Sequence, residues 1–403
     1  MIKEYIRREI YEVKIRPFIG KDLIKVIVGQ RRTGKSYFMF QIMDLVRQQN
    51  PEIQILYVNK EDLAFDSIKT YSDLVSFAES NVTAGQKSAI FIDEIQEIQE
   101  FEKALRHFQS TGMWDIYCTG SNAKLLSGEL STYLTGRYIE ISMYSLSYPE
   151  FLVFHGLENT PENFSKYLRF GGLPYLTNLP LEENVVFEYL KNIYTTILYK
   201  DIISRYNIRN PAFLERLVIF IADNIGNVFS AKKITDYLKS QHMKFSNNIV
   251  LDYLGYLQNA YLIARISRND LKGKRILEIG EKYYFHDTGL RHSIIAYKPN
   301  DINQLLENVV LLHLLIHGYK VTVGKMGSRE IDFICDKNNN RTYIQVTLSL
   351  ADENVRNREY GNLLDIDDNY RKIVVTADEY AMDSYKGIET INIREFLTKN
   401  QIA

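Results

Sequence analysis

The eight residues Gly29, Gln30, Arg31, Arg32, Thr33, Gly34, Lys35 and Ser36 constrain this chain more than any other stretch. They follow a β-branched run, Ile24 to Val28, of the kind that forms a buried parallel strand. They lead straight into the helical pattern that begins at Tyr37. A G-x-x-x-x-G-K-[ST] segment between strand and helix is a phosphate-binding loop. Its glycines let backbone N–H groups wrap an anion, and the helix N-terminus adds partial positive charge. Lys35 is expected to reach the β- and γ-phosphates of a nucleotide, with Ser36 holding Mg²⁺. The first part of the chain is therefore expected to be a parallel α/β sheet.

Such a loop needs a second strand that ends in acid. The segment SAIFIDEIQEI supplies apolar residues and then Asp93 and Glu94. Asp93 is placed to coordinate Mg²⁺, and Glu94 to polarise an attacking water. The plainer reading is two surface acids at a strand end. Their spacing behind the upstream motif favours hydrolysis of ATP, although GTP is not distinguished.

Composition narrows the setting. At 403 residues, two to four domains are expected. A net charge of −1 gives no long-range field, so any nucleic-acid contact must come from a local patch. The two cysteines, Cys118 and Cys335, lie in strand-like surroundings and suggest no disulfide framework. No apolar run approaches the roughly 20 residues of a membrane span. A cytoplasmic protein without a membrane partner is expected.

Beyond Glu94 the strand WDIYCTGSN ends in small polar residues, and a helix-like segment leads to Arg137 and the strand YIEISMYSL. This order of parts resembles the AAA-type ATPases. The resemblance implies a polar sensor at Ser121 or Asn122, and an arginine finger, Arg137, that enters a neighbouring subunit's site. It also implies self-association as a ring or partial ring. A bland alternative for Arg137 is a cation complementing a helix C-terminus. The segments SLSYPEFL and YLRFGGLPYL further resemble a prokaryotic family that joins such a core to a C-terminal domain of unknown function. By analogy with signalling ATPases, Pro174 would line the base pocket of a helical lid. Alternatively, Gly171, Gly172 and Pro174 simply make a turn.

From Asn210 three helical patterns are followed by two strand patterns around a glycine-containing turn, which reads as a winged helix. Arg265, Arg268, Lys272, Lys274 and Arg275 would offer phosphate contacts to DNA. A solvated hairpin and a pure protein-interaction module remain open.

The last part resembles the restriction-endonuclease-like fold, with Glu307 on a helix and Glu330 and Asp332 on a strand. Where that fold carries Glu-x-Lys, this chain has Gln345 and Thr347. Metal-assisted phosphodiester hydrolysis needs carboxylates on the metal and a cation near the nucleophile. Gln345 removes a charge and Thr347 removes the cation, with no neighbour expected to replace it. A degenerate nuclease site kept for binding or architecture is expected.

The expected organisation is thus an α/β multidomain chain. It comprises an AAA-type P-loop core over 1–150, a helical lid over 151–207, a winged helix over 208–292 and a nuclease-like α/β domain over 293–403. The leading reading is an oligomeric, DNA-associated ATPase. The alternative is a nucleotide-locked switch acting on a protein partner.

Overall fold

A computed structural model describes residues 5–123, 136–240, 246–270, 280–380 and 382–399. They fall into two compact units: residues 1–143 with 259–261, and residues 144–258 with 262–403.

The first unit is built on five parallel strands: β1 (Ile24–Gly29), β2 (Gln54–Asn59), β3 (Ser88–Asp93), β4 (Trp114–Gly120) and β5 (Tyr138–Met143), in the order β2-β3-β4-β1-β5. Among the described residues the helices that accompany them are α1 (Glu9–Ile15), α2 (Lys35–Gln49), α3 (Tyr71–Ser80) and α4 (Phe101–Thr111). Strands β1, β3 and β4 are buried along their whole length, as expected for a sheet covered on both faces. Their alternating side chains feed two cores. Val26, Val28, Ile90 and Ile92 pack with Leu74, Leu105, Phe108 and Trp114. Ile27 and Phe91 pack on the opposite face with Phe38, Met39 and Ile42 of α2. Lys25 is the exception in β1, a fully buried ammonium 2.5 Å from Asp115. Helix α3 starts in a capping box, in which the Thr70 hydroxyl accepts from Asp73 N–H and the Asp73 carboxylate accepts from Thr70 N–H.

The second unit begins with α5 (Tyr148–His155), α6 (Pro161–Phe170) and α7 (Glu183–Thr196), the last running on into a π-helical turn, Ile197–Ser204. Then come α8 (Pro211–Asp223), β6 (Val228–Phe229), α9 (Ala231–Ser240), α10 (Asn247–Asn259), β7 (Ile263–Asp270), β8 (Glu281–Phe285) and α11 (Thr288–Ile295). The remainder is α12 (Ile302–Ile316), β9 (Lys320–Met326), β10 (Arg329–Lys337), β11 (Asn340–Thr347), α13 (Glu353–Leu364), β12 (Arg371–Thr376), β13 (Ser384–Tyr385), β14 (Ile388–Asn392) and α14 (Ile393–Thr398).

The nine strands described in this unit share one mixed sheet, ordered β13-β14-β12-β11-β10-β9-β7-β8-β6. The joint is β7 with β9, paired parallel through Arg268–Val323, Asn269–Gly324 and Asp270–Lys325. The segments expected as separate domains on either side of residue 292 are therefore hydrogen-bonded into one sheet. Helix α12 lies in its main core, where Leu306, Val309, Val310 and Leu314 meet Phe333, Ile344 and Val375. Both cysteines are free and buried. Among the described residues no helix is long and apolar enough to cross a membrane.

Candidate active site

The phosphate-binding segment lies where its pattern placed it, between the C-terminal end of β1 and the start of α2. Gly29 has φ +152°, and a Cβ there would stand 2.1 Å from the Met143 carbonyl oxygen of β5. Only glycine lets the loop leave the sheet at this point. Gly34, at φ 93°, precedes α2, whose N-terminus has no side-chain cap. The first N–H groups of α2 are thus the kind of orphan donors that an anion satisfies. Gln30 supports this fit: its side chain is buried and neither amide atom has a hydrogen-bond partner among the described residues. Lys35 Nζ donates to the Gly29 and Gln30 carbonyls, each at 3.0 Å, and lies 3.9 Å from Glu94.

The end of β3 brings both acids to the same place, with β4 supplying Thr119 beside them. Asp93 accepts hydrogen bonds from the Thr119 hydroxyl and, at 3.0 Å, from the Tyr57 hydroxyl, with Ser36 a third partner. Burial holds the Asp93 carboxyl above its usual range against these bonds. Ser36 and Asp93 are the residues that fit Mg²⁺, because a buried, multiply positioned carboxylate beside a hydroxyl suits a hard cation. Glu94 behaves oppositely. Burial would raise it, but Lys35, Gln96, Arg31 and Ser121 outweigh burial and hold its carboxyl below the usual value. An ionised carboxylate is what a water-orienting base requires.

Ser121 is buried and accepts from Gln96 Nε2 at 3.4 Å, which ties it to the Glu94 group, and Asn122 beside it is also buried. Arg31 pairs with Glu61 at 2.8 Å, Arg32 takes φ 70°, and Tyr37 is half-exposed. Arg137 lies in an exposed turn before β5, where its carbonyl accepts from Ile24 N–H at 3.0 Å. The helix-like segment before it lies outside the described residues.

Four contributors escaped the sequence reading. Thr119, Tyr57 and Gln96 hold the two acids, and Arg8 donates to the Thr33 carbonyl of the loop at 3.0 Å. Thr119 and Tyr57 had a signal, since each stands near the C-terminal end of a core strand. Arg8 had none, being distant in sequence and in no motif.

In the second unit Pro174 opens a 3-10 turn, Pro174–Asn178, behind Gly171 and Gly172. That turn is pinned by Asp287, whose carboxylate accepts from Gly172 N–H at 2.8 Å and from Leu290 N–H at 3.0 Å. A Cβ on Gly171 would stand 2.2 Å from Asp287 Oδ1.

The expected basic hairpin is partly neutralised. Arg265 donates to Glu281 at 2.6 Å, and Arg268 lies 3.8 Å from Glu330. Lys272, Lys274 and Arg275 lie outside the described residues. The nuclease-like positions do converge. Glu307, Glu330 and Asp332 surround one ammonium, Lys282, at 3.2, 2.8 and 3.8 Å. A cation does stand beside these acids, where none was expected nearby. It comes from β8, outside the segment where one was sought. Gln345 is buried beside them, and the Thr347 hydroxyl donates to the Ser349 carbonyl at 3.3 Å. Among the described residues no cluster of His, Cys, Asp or Glu is arranged to hold a metal ion.

Comparison with known proteins agrees with the first unit. Residues 21–152 match the model of an AAA domain, and residues 161–301 match a domain of unknown function (DUF8612). The chain is 36% identical to an uncharacterized protein of Haemophilus influenzae, over 98% of this chain and 100% of that one. It is 31% identical to an uncharacterized protein of Methanocaldococcus jannaschii, over 87% of this chain and 79% of that one. Among solved structures it is similar to a Walker-type ATPase of Pyrococcus abyssi, at 15% identity and TM-score 0.48, over 72% of this chain and 96% of that one.

Proposed function

The chain belongs to one family with the Haemophilus influenzae and Methanocaldococcus jannaschii proteins and carries an AAA domain, and from that premise we propose that it binds and hydrolyses ATP. The observation that carries this reading is the meeting of Lys35, Asp93, an ionised Glu94 and Ser121 at the loop after β1. Lys35 leaves the loop carbonyls to bind the β- and γ-phosphates, and the α2 N-terminus takes the α- and β-phosphates. Ser36 and Asp93 would hold Mg²⁺, which would supply positive charge against the phosphate oxygens. Glu94 accepts a hydrogen bond from water and aims its lone pair at the γ-phosphorus. As the water oxygen bonds to the γ-phosphorus and the bond to the β–γ bridging oxygen breaks, ADP leaves and the water's proton passes to Glu94 or to the phosphate. Ser121, joined to Glu94 through Gln96, or buried Asn122 senses the γ-phosphate.

Self-association belongs to the same proposal, with Arg137 reaching a neighbour's nucleotide from its exposed turn. DNA is the proposed partner. With Arg265 and Arg268 engaged by acids, its contact falls chiefly to Lys272, Lys274 and Arg275.

The test is steady-state ATP hydrolysis with no DNA and with single-stranded, linear duplex or branched DNA. Mg²⁺-dependent turnover that is lost in Lys35→Ala supports the ATPase, and several-fold stimulation by one DNA form supports the coupling. A slow rate indifferent to DNA, with ADP retained through purification, turns the reading to a nucleotide-locked switch with a protein partner.

A further inference from the structure

Apart from the nucleotide site, a concentration of charge among the described residues is buried between β8, β10 and α12. Lys282 reaches into it from β8 and is 2% exposed. Its ammonium stands 2.8 Å from Glu330 Oε1, 3.2 Å from Glu307 Oε2 and 3.8 Å from Asp332 Oδ1. Tyr284, two residues along the same strand, donates its hydroxyl to Glu307 Oε2 at 2.7 Å. One positive charge therefore ties together three elements that are remote in sequence. Burial pulls the Lys282 ammonium toward neutrality, but Glu307, Asp332 and Glu330 outweigh burial and keep it charged.

Among the acids around it, burial and the neighbouring Glu307 carboxylate hold the Asp332 carboxyl well above the usual range, against the pull of Lys282. The Glu330 side chain also lies 3.8 Å from Arg268. Asp332 Oδ2 accepts from Val346 N–H at 2.8 Å. Glu359 pairs with Arg358 at 2.6 Å. Gln345 bridges the two sides: its Oε1 accepts from Asp332 N–H at 2.7 Å, and its Nε2 donates to Glu359 at 2.6 Å. The second contact explains why a neutral amide stands at 345. A carboxylate there would have no N–H for Glu359 and would add a negative charge beside it.

A divalent cation shared by Glu307, Glu330 and Asp332 would need their oxygens at about 2.0–2.6 Å, in the space the ammonium already fills. We propose that Lys282 is the resident cation of this cluster, taking between Glu307, Glu330 and Asp332 the place that a divalent metal takes in a metal-dependent phosphodiesterase. The C-terminal sheet then closes without metal. The same residue that stabilises the cluster excludes the ion that cleavage would need. Gln345 is the matching half of this exchange, because it removes the charge that a metal would have balanced.

The test uses the full chain carrying Asp93→Asn, which removes the carboxylate that fits Mg²⁺ at the nucleotide site. Mn²⁺ binding is measured by calorimetry, and thermal unfolding is followed with Mn²⁺ or with EDTA. With Lys282 intact, no stoichiometric Mn²⁺ site and the same midpoint in both solutions are expected. Adding Lys282→Met should lower the midpoint in EDTA by roughly 10 °C, since one partner of a buried ion cluster is lost. Millimolar Mn²⁺ should restore much of that loss and occupy one new site. Glu330→Gln, at the more exposed rim, is the second variant and should bind no Mn²⁺. One Mn²⁺ bound with Lys282 intact and lost in Glu330→Gln would overturn the proposal. So would a Lys282→Met protein as stable as its parent. Metal-dependent cleavage of DNA that disappears with Lys282→Met would also overturn it, assigning the lysine to phosphodiester chemistry instead.

Discussion

Glu94 holds its backbone at φ 56°, a left-handed conformation that costs a non-glycine residue about 1–2 kcal/mol. Its N–H donates to the Thr119 hydroxyl at 3.0 Å, which helps hold that conformation, and its carboxylate faces Lys35. Glu94→Gln keeps the shape and removes the charge. Nucleotide binding should persist while kcat falls by about 10²–10⁴-fold, as for loss of a general base. A single-turnover assay at saturating ATP checks this, and turnover at the wild-type rate would refute the base assignment. Asp287 makes a different demand. Each of its oxygens accepts a backbone N–H, so Asp287→Asn must turn a donor toward Gly172 or Leu290. Chemical denaturation should show a loss of about 1–3 kcal/mol. His313 supplies a pH test. Burial, helped by His317, pushes its imidazole down to about 3, below the unfolded value near 6.5. Its contribution is therefore present above pH 6.5 and is lost as pH falls toward 3. The stability of wild type relative to His313→Leu should decline by about 1.4 kcal/mol per pH unit below 6.5.

Strand β1 shows what an element adds to its residues. Its alternation of Ile24, Val26 and Val28 against Ile27 was readable as a buried strand, and the loop behind it as a phosphate binder. The closeness of β5 was not readable, because strand order depends on which edges meet in space. Gly29 lies opposite Met143 in that pairing. Gly29→Ala drives a methyl into the Met143 carbonyl, so the β1–β5 register must give way. We expect a loss of more than about 3 kcal/mol in denaturant unfolding and no detectable nucleotide binding by equilibrium dialysis. Strands β7 and β8 teach the reverse lesson. Their sequence reads as a wing whose basic residues meet DNA; β7 also pairs with β9, Arg268 turns to Glu330 of β10, and Lys282, outside that reading, turns to Glu307 of α12.

Across the whole molecule, nucleotide should act as a stabiliser of the native state. At a concentration 100 times its Kd, a non-hydrolysable ATP analogue with Mg²⁺ should add about 2.7 kcal/mol to the stability of the unit that binds it. Thermal unfolding should show this for wild type and not for Lys35→Ala. Shared sites between subunits have their own signature. Arg137→Ala mixed with Lys35→Ala should recover turnover if one chain's arginine serves the other's nucleotide, and unchanged turnover by Arg137→Ala alone would dismiss the finger.

The sequence by itself determined the phosphate loop, its two acids, the buried strands around them and the acids of the C-terminal region. All of these follow from local rules: side-chain period, glycine at a tight exit, and charge at a strand end. Tertiary structure decided the rest. It brought Arg8 and Tyr57 to the nucleotide site and Asp287 to the Gly171–Gly172 turn. It also joined the last two expected domains through β7 and β9 and set Lys282 among three carboxylates. Each of these contacts spans a long stretch of chain. Its partner is chosen by which surfaces pack and which buried charges must be neutralised, and a linear pattern does not carry that information.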